Sequence, residues 1–209
     1  MKKSVKTILI ILSFFALGLL LHYGVFEKLL NNTPFVKDYY NNGILTINTR
    51  NGIAEITVNG QQYGQTPQSI SNLPEDKYFV ELEKVSEDSN LYKKQSFYIE
   101  LFRNTEAIID IEIGPDDFKS GHILYYTEMS RSASNKGALT LRTDLQDYEV
   151  SIDNEKVDEE KLFTYLLDPK EYDIKISSNG HESLEFPIII REGYNLNVRI
   201  YLLPIPIKF

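Results

Sequence analysis

Three histidines, three short acidic runs and an excess of tyrosine are the side chains of this 209-residue sequence that could do chemistry. His122 and His181 lie far apart, and no second ligand stands near either at the spacing a zinc site requires. His22 follows an apolar run and reads as an interfacial residue beside Tyr23. With no cysteine, thiolate metal sites and disulfides are excluded. The acidic runs are Glu75-Asp76, Asp116-Asp117 and Asp158-Glu159-Glu160. Glycosidase carboxylates face each other across a cleft, which neighbours on one loop do not do. Calcium can take carboxylate oxygens in flexible loops, but a solvated surface is the plainer reading of each run. No glycine-rich phosphate loop, nucleophile elbow or metalloprotease helix is present. We therefore assign no catalytic residue, no cofactor-binding residue and no metal ligand, and expect a non-enzyme without a cofactor. A hydrolase would need a convergent polar constellation. Tyrosine occurs fourteen times and tryptophan not at all. In extended backbone, Tyr39-Tyr40 and Tyr125-Tyr126 would each send one ring to an open face, a platform for sugars or proteins. Outer strand faces also favour tyrosine for its own sake.

Charge narrows the partner class. The chain carries −8 overall. Residues 1–39 hold five lysines and two acids, so the acidity falls on residues 40–209. Such a body repels phosphate backbones, and nucleic acid is not an expected partner.

The opening MKKSVKTILIILSFFALGLLLHYGVF has Lys2, Lys3 and Lys6 before an apolar run. Thr7 to Phe26 has about the length that a helix needs to cross a bilayer. His22-Tyr23-Gly24-Val25-Phe26 is a poor cleavage site, so residues 1–26 read as an uncleaved signal anchor and less well as a cleaved signal peptide. The basic flank places the N-terminus in the cytoplasm and the body outside, with Lys28 and Lys37 weakening that bias. Residues 27–42 read as a juxtamembrane stalk.

What must position any site is a duplication. GILTINT from Gly43 returns as GALTLRT from Gly137, 94 residues later. AEITVNG from Ala54 meets YEVSIDN from Tyr148, and YFVELEK from Tyr78 meets YDIKISS from Tyr172, at the same offset. FYIELFRN from Phe97 then meets FPIIIREG from Phe186 at an offset of 89. The second copy has lost five residues opposite the acidic VSEDSNLYKK, a loop composition. Both copies alternate apolar and polar residues with period two, the mark of strands with one buried face. Asn59-Gly60 is a strong two-residue hairpin signal and Asp153-Asn154 a weaker one. No stretch of the body has a helical period. HILYYTEM, from His122, is too apolar for a free linker and reads as a strand or an inter-domain pad. The tail LLPIPIKF suits an extended edge that could cover a rim or add to another chain.

Gly43 to Thr49, with ITVNGQQYGQTPQSISNLPEDKYFVELEK, resembles a PEGA domain. Gly64, Thr66, Pro67, Leu73, Pro74, Glu75 and Tyr78 fit the family pattern, while Asp76-Lys77 replaces its eponymous Gly-Ala. The second copy departs further, with Asp158 to Lys161 where the Gly-x-Thr-Pro turn should stand. The resemblance implies small antiparallel, prealbumin-like β-sandwiches of envelope and surface proteins, without catalytic residues. The expectation is thus all-β: a first domain over residues 43–115, an inter-domain segment 116–136 and a second domain over 137–209. The expected function is scaffolding, or binding of a surface protein or glycan, by a membrane-anchored envelope protein; the alternative is an accessory binding subunit of a membrane enzyme or signalling complex. Strand addition at a sheet rim is the expected mechanism.

Overall fold

A computed structural model describes residues 42–88, 91–129 and 135–205. The expected anchor, the stalk up to residue 41, Tyr39-Tyr40 and the last four residues of the tail lie outside them. Among the described residues no helix is long and apolar enough to cross a membrane.

The fold is all-β. In chain order come β1 (Gly43–Thr49), β2 (Ala54–Val58), β3 (Gln61–Gln65), β4 (Gln68–Leu73), β5 (Asp76–Lys84), β6 (Gln95–Leu101) and β7 (Glu106–Ile113). A longer strand comes next, β8 (Lys119–Glu128). Then come β9 (Gly137–Thr143), β10 (Glu149–Ile152), β11 (Glu155–Val157), a 3-10 turn (Glu159–Phe163), β12 (Tyr165–Leu167), β13 (Glu171–Ser177), β14 (Leu184–Ile189) and β15 (Tyr194–Tyr201). Two four-stranded sheets have the orders β3-β2-β5-β6 and β11-β10-β13-β14. A seven-stranded sheet runs β12-β9-β15-β8-β7-β1-β4.

Strand order repeats with the sequence, and so does fine detail. Asn59 and Asp153 both have positive φ at the first inner corner of their hairpins. Each side-chain oxygen accepts a bond from the strand alongside, from the Phe79 N–H at 2.8 Å and the Asp173 N–H at 3.0 Å. Tyr78 donates to the Pro74 carbonyl and Tyr172 to the Asp168 carbonyl, at 2.7 and 3.2 Å. Burial pushes the Tyr78 phenol up to about 12, with Asp76 and Tyr63 adding to the effect. The glycines that open each copy meet the same need. A Cβ on Gly43 would lie 2.6 Å from the Leu101 side chain, and one on Gly137 would lie 2.4 Å from the Arg191 carbonyl oxygen. At the Gly-x-Thr-Pro turn the first copy buries Thr66, whose hydroxyl accepts from the Ala54 N–H at 3.0 Å. The second copy puts its 3-10 turn there and buries Leu162 instead.

Two expectations need correction. The sheets are not purely antiparallel, because β1 pairs with β7, and β9 with β15, in parallel. From β1 the chain passes through β2 and β3, returns to the large sheet in β4 on one side of β1, then passes through β5 and β6 before β7 on the other side, a long connection of the kind that parallel neighbours require. Nor are the copies two bodies joined by a linker. The segment expected between them supplies β8, which pairs antiparallel with β7 on one side and with β15 on the other. The three large-sheet strands of each copy are thereby zipped into one sheet.

The faces of β8 explain how two cores share it. Ile123 packs with Ala107, Ile109, Ile111 and the first four-stranded sheet. Leu124 and Tyr126 pack with Leu196, Val198 and the second. Successive strand residues point to opposite faces, so the two four-stranded sheets cover opposite faces of the large sheet. Register agrees: Ile109 lies opposite Ile123, while its counterpart Val198 lies opposite Leu124, one residue on. A one-residue step turns the apolar row to the other face. The copies are thus related by an approximate twofold rotation about β8.

Candidate functional site

The residues singled out in sequence do not converge. His122 is buried on β8, its ring stacked on Phe186 with centroids 3.9 Å apart. The Arg50 guanidinium bonds Asp110 through two nitrogens at 3.1 Å each, and its Nη2 lies 3.4 Å from His122 Nδ1. Burial pulls the imidazole down to about 4, with Asp110 raising it and Arg50 lowering it further. His122 is thus a neutral acceptor in a packed seam. His181 lies on the β13–β14 turn, its Nδ1 3.1 Å from the Asn179 carbonyl. Glu75 pairs with Arg103 at 3.0 Å, Asp116 and Asp117 with Lys93, and Asp158 with Lys161. Among the described residues no group of three or more His, Asp or Glu could hold a metal ion. Tyr125-Tyr126 makes no open platform, because both faces of β8 are covered. Tyr126 is buried on the second core and Tyr125 packs against the first. The described part of the tail lies along the second copy, with the Glu182 N–H donating to Leu203 and the Ile205 N–H to Gly180.

The feature that can bind is a strand edge. Among the described residues six strands end sheets: β3, β6, β11, β14, β4 and β12. Free edges pair with foreign strands unless they are blunted. β11 and β12 have three residues each. β3 pairs through a register shift, and so does β4. β14 contains Pro187. β6 has none of these devices.

The ladder tells which groups of β6 face outward. Phe79 both donates to and accepts from Asn59, on the β2 side. It therefore cannot bond its other partner, Tyr98. In an antiparallel pair such a residue turns both backbone groups away, so the N–H and C=O of Tyr98 point off the edge, as do those of Ser96 and Glu100 by alternation. The Tyr98 side chain is 68% exposed and its ring lies 4.9 Å from that of Phe79. At the same place in the second copy, Asp173 bonds Asp153 and faces Pro187, which has no N–H to offer. Next outward, the Ile189 carbonyl accepts the Tyr126 hydroxyl at 2.6 Å. One edge is closed twice. In the first copy the corresponding residues are Tyr98 and Glu100, and Tyr125 makes no such bond among the described residues.

Beside the β6 edge the large sheet continues as a ledge. Phe97 packs on Tyr201 and Phe102 on Tyr194, with centroids 6.1 and 6.2 Å apart, so β6 runs antiparallel along β15. The face of β15 turned to that side carries Asn195, Asn197, Arg199 and Tyr201; β9 adds Thr140 and Arg142. Asn195, Asn197, Thr140 and Thr127 bond one another in a row. Sequence reading missed this site, although the repeat held one sign of it. The second alignment sets Tyr98 against Pro187, an edge residue against an edge blocker.

Residues 42–112 match the family model of the PEGA domain. No curated protein matches the chain. One solved structure, described as "The Bacillus anthracis TIE protein", is 16% identical over 79% of this chain, with a TM-score of 0.26. The chain spans 34% of that structure's chain, and a likeness of this size carries no argument. The match takes in β1 to β6 and β7 up to its penultimate residue, with the Gly64-to-Pro67 turn and the Leu73-Pro74 step inside it; residues 42–112 of the chain are a PEGA domain.

Proposed function

We propose that this is a non-enzymatic, membrane-anchored protein of the cell envelope whose extracytoplasmic body binds a partner by accepting an extended strand on β6. The open β6 edge carries the reading, since its counterpart in the second copy is shut by Pro187 and by the Tyr126 hydroxyl. A backbone ladder gives affinity, and side chains on alternate positions give selectivity. The apolar run after Lys6 supports the anchor, and the acidic body supports an extracytoplasmic protein or glycan-associated partner over nucleic acid. Fold likeness alone would not support a function.

The test is a pull-down from membranes with the full-length chain and with Tyr98→Pro, with intact mass measured on the product. A retained N-terminus and a partner lost in Tyr98→Pro are expected. A partner retained equally by both proteins contradicts strand addition, and a mass lacking residues 1–26 contradicts the anchor.

A further inference from the structure

The ledge beside β6 carries two adjacent positive charges with no carboxylate between them among the described residues. Arg142 and Arg199 are direct neighbours across the parallel β9–β15 pair. Both project on the face away from the second core, because Leu141, Val198 and Ile200 occupy the other. Like charges side by side on a sheet destabilise it. Elsewhere on this acidic chain lysines and arginines pair with carboxylates repeatedly, yet neither of these two pairs with a carboxylate among the described residues. Arg199 hydrogen-bonds the Tyr201 phenol, which also feels the charge of Asp144. Lys119 is on the same side, its Nζ 4.9 Å from the centre of the Tyr201 ring and 3.0 Å from Gln95 Oε1 at the start of β6. The other end of the ledge is predominantly acidic: Glu75, Asp76, Glu100 and Glu128, with Lys77 as the one cation, line a cleft of about 440 Å³ there.

We propose that the β6 edge takes an extended, acidic segment of a partner protein, with carboxylates on the Arg142–Arg199 pair. This rests on the strand-accepting reading above and names the chemistry of the strand. A strand laid against β6 sits about 4.8 Å from it, over β15. Its inward side chains then meet Asn197, Arg199 and Arg142, a floor that offers donors and positive charge. Guanidinium forks bind carboxylates through two parallel bonds. Acidic residues belong at the Gln95 end of the segment, because the Glu100 end repels them. An aromatic or β-branched residue on the outward side extends the Phe79–Tyr98 row. A second copy of this chain does not fit: its own large sheet would have to occupy the space already filled by β15 and β9.

The experiment uses the full-length chain and fluorescent ten-residue peptides of alternating pattern. They carry Glu-x-Glu on the inward positions at one end or the other, each with a Gln-x-Gln counterpart. One glutamate peptide is expected to bind at least tenfold more tightly than its glutamine counterpart, and the gain should shrink as salt rises. R142Q/R199Q should erase that gain, and Tyr98→Pro should abolish binding of both peptides. Pro187 shows that the fold accepts proline at the equivalent place; should Tyr98→Pro not fold, Glu100→Pro removes another outward donor. Equal binding of both peptides, lost in Tyr98→Pro, overturns the arginine clamp and leaves the edge standing. Undiminished binding to Tyr98→Pro overturns the edge itself. Arginine-dependent binding of inorganic polyphosphate without binding of any peptide overturns the proposal in favour of a general polyanion site.

Discussion

Gly121 of β8 lies opposite Ile111 of β7. Its φ is +127°, and a Cβ there would fall 2.2 Å from the Asp110 carbonyl oxygen and 2.8 Å from the Ile111 Cα. Backbone on both counts cannot move aside as a flexible side chain can. Gly121→Ala is expected to cost about 3 kcal/mol or more, read from urea unfolding. One turn of the pleat away, His122 links stability to pH. Its folded-state value of about 4 lies below the ordinary 6.5. The unfolded chain therefore takes the proton first as pH falls. The stabilisation is complete above pH 6.5, is lost between there and about 4, and changes no further below. The largest loss is about 3 kcal/mol. The groups facing the ring are Arg50, Asp110 and Phe186, and His122→Gln removes the titration while keeping an acceptor. The stability difference between wild type and variant should shrink by about that amount from pH 7 to pH 4; a difference that ignores pH would contradict the assignment.

At the scale of elements, β8 joins what the duplication made. Ile123 and Leu124 are adjacent in sequence and belong to different cores. Each truncation to alanine is expected to cost about 2–5 kcal/mol. Both should lower one shared unfolding transition; a variant that destabilised only part of the chain would contradict the shared strand. Much of the rest was legible in the sequence. The repeat offsets placed the hairpins at Asn59 and Asp153, and period two gave the buried row of each long strand. Two things were not legible, for physical reasons. Alternation tells which face of a strand is buried but not which strand lies beside it, so the parallel β1–β7 and β9–β15 pairs stayed hidden. A strand buried on both faces, such as HILYY, has no alternation to read. That is also why Tyr125-Tyr126 looked like a platform when each ring serves its own core. The open edge was hidden for a third reason. Whether the Tyr98 N–H points inward or outward depends on the phase of the β5–β6 ladder, which no side chain announces.

At the scale of the whole molecule, the twofold about β8 makes two half-molecules into one sheet and two cores. Small domains of about 70 residues bury little surface alone; sharing β8 lets each half cover a face of the other's strand. The copies then diverge at their free edges, one closed by proline and a tyrosine hydroxyl and the other left open among the described residues. The proposed binding rests on that asymmetry. Residue-resolved hydrogen exchange on the full-length chain tests the account most directly. It expects the inward amides of β7, β8 and β15 to open together at the global unfolding free energy, while the Tyr98 amide exchanges at nearly the rate of an unprotected one. Separate opening of the two halves, or a protected Tyr98 amide in the unbound chain, would contradict it.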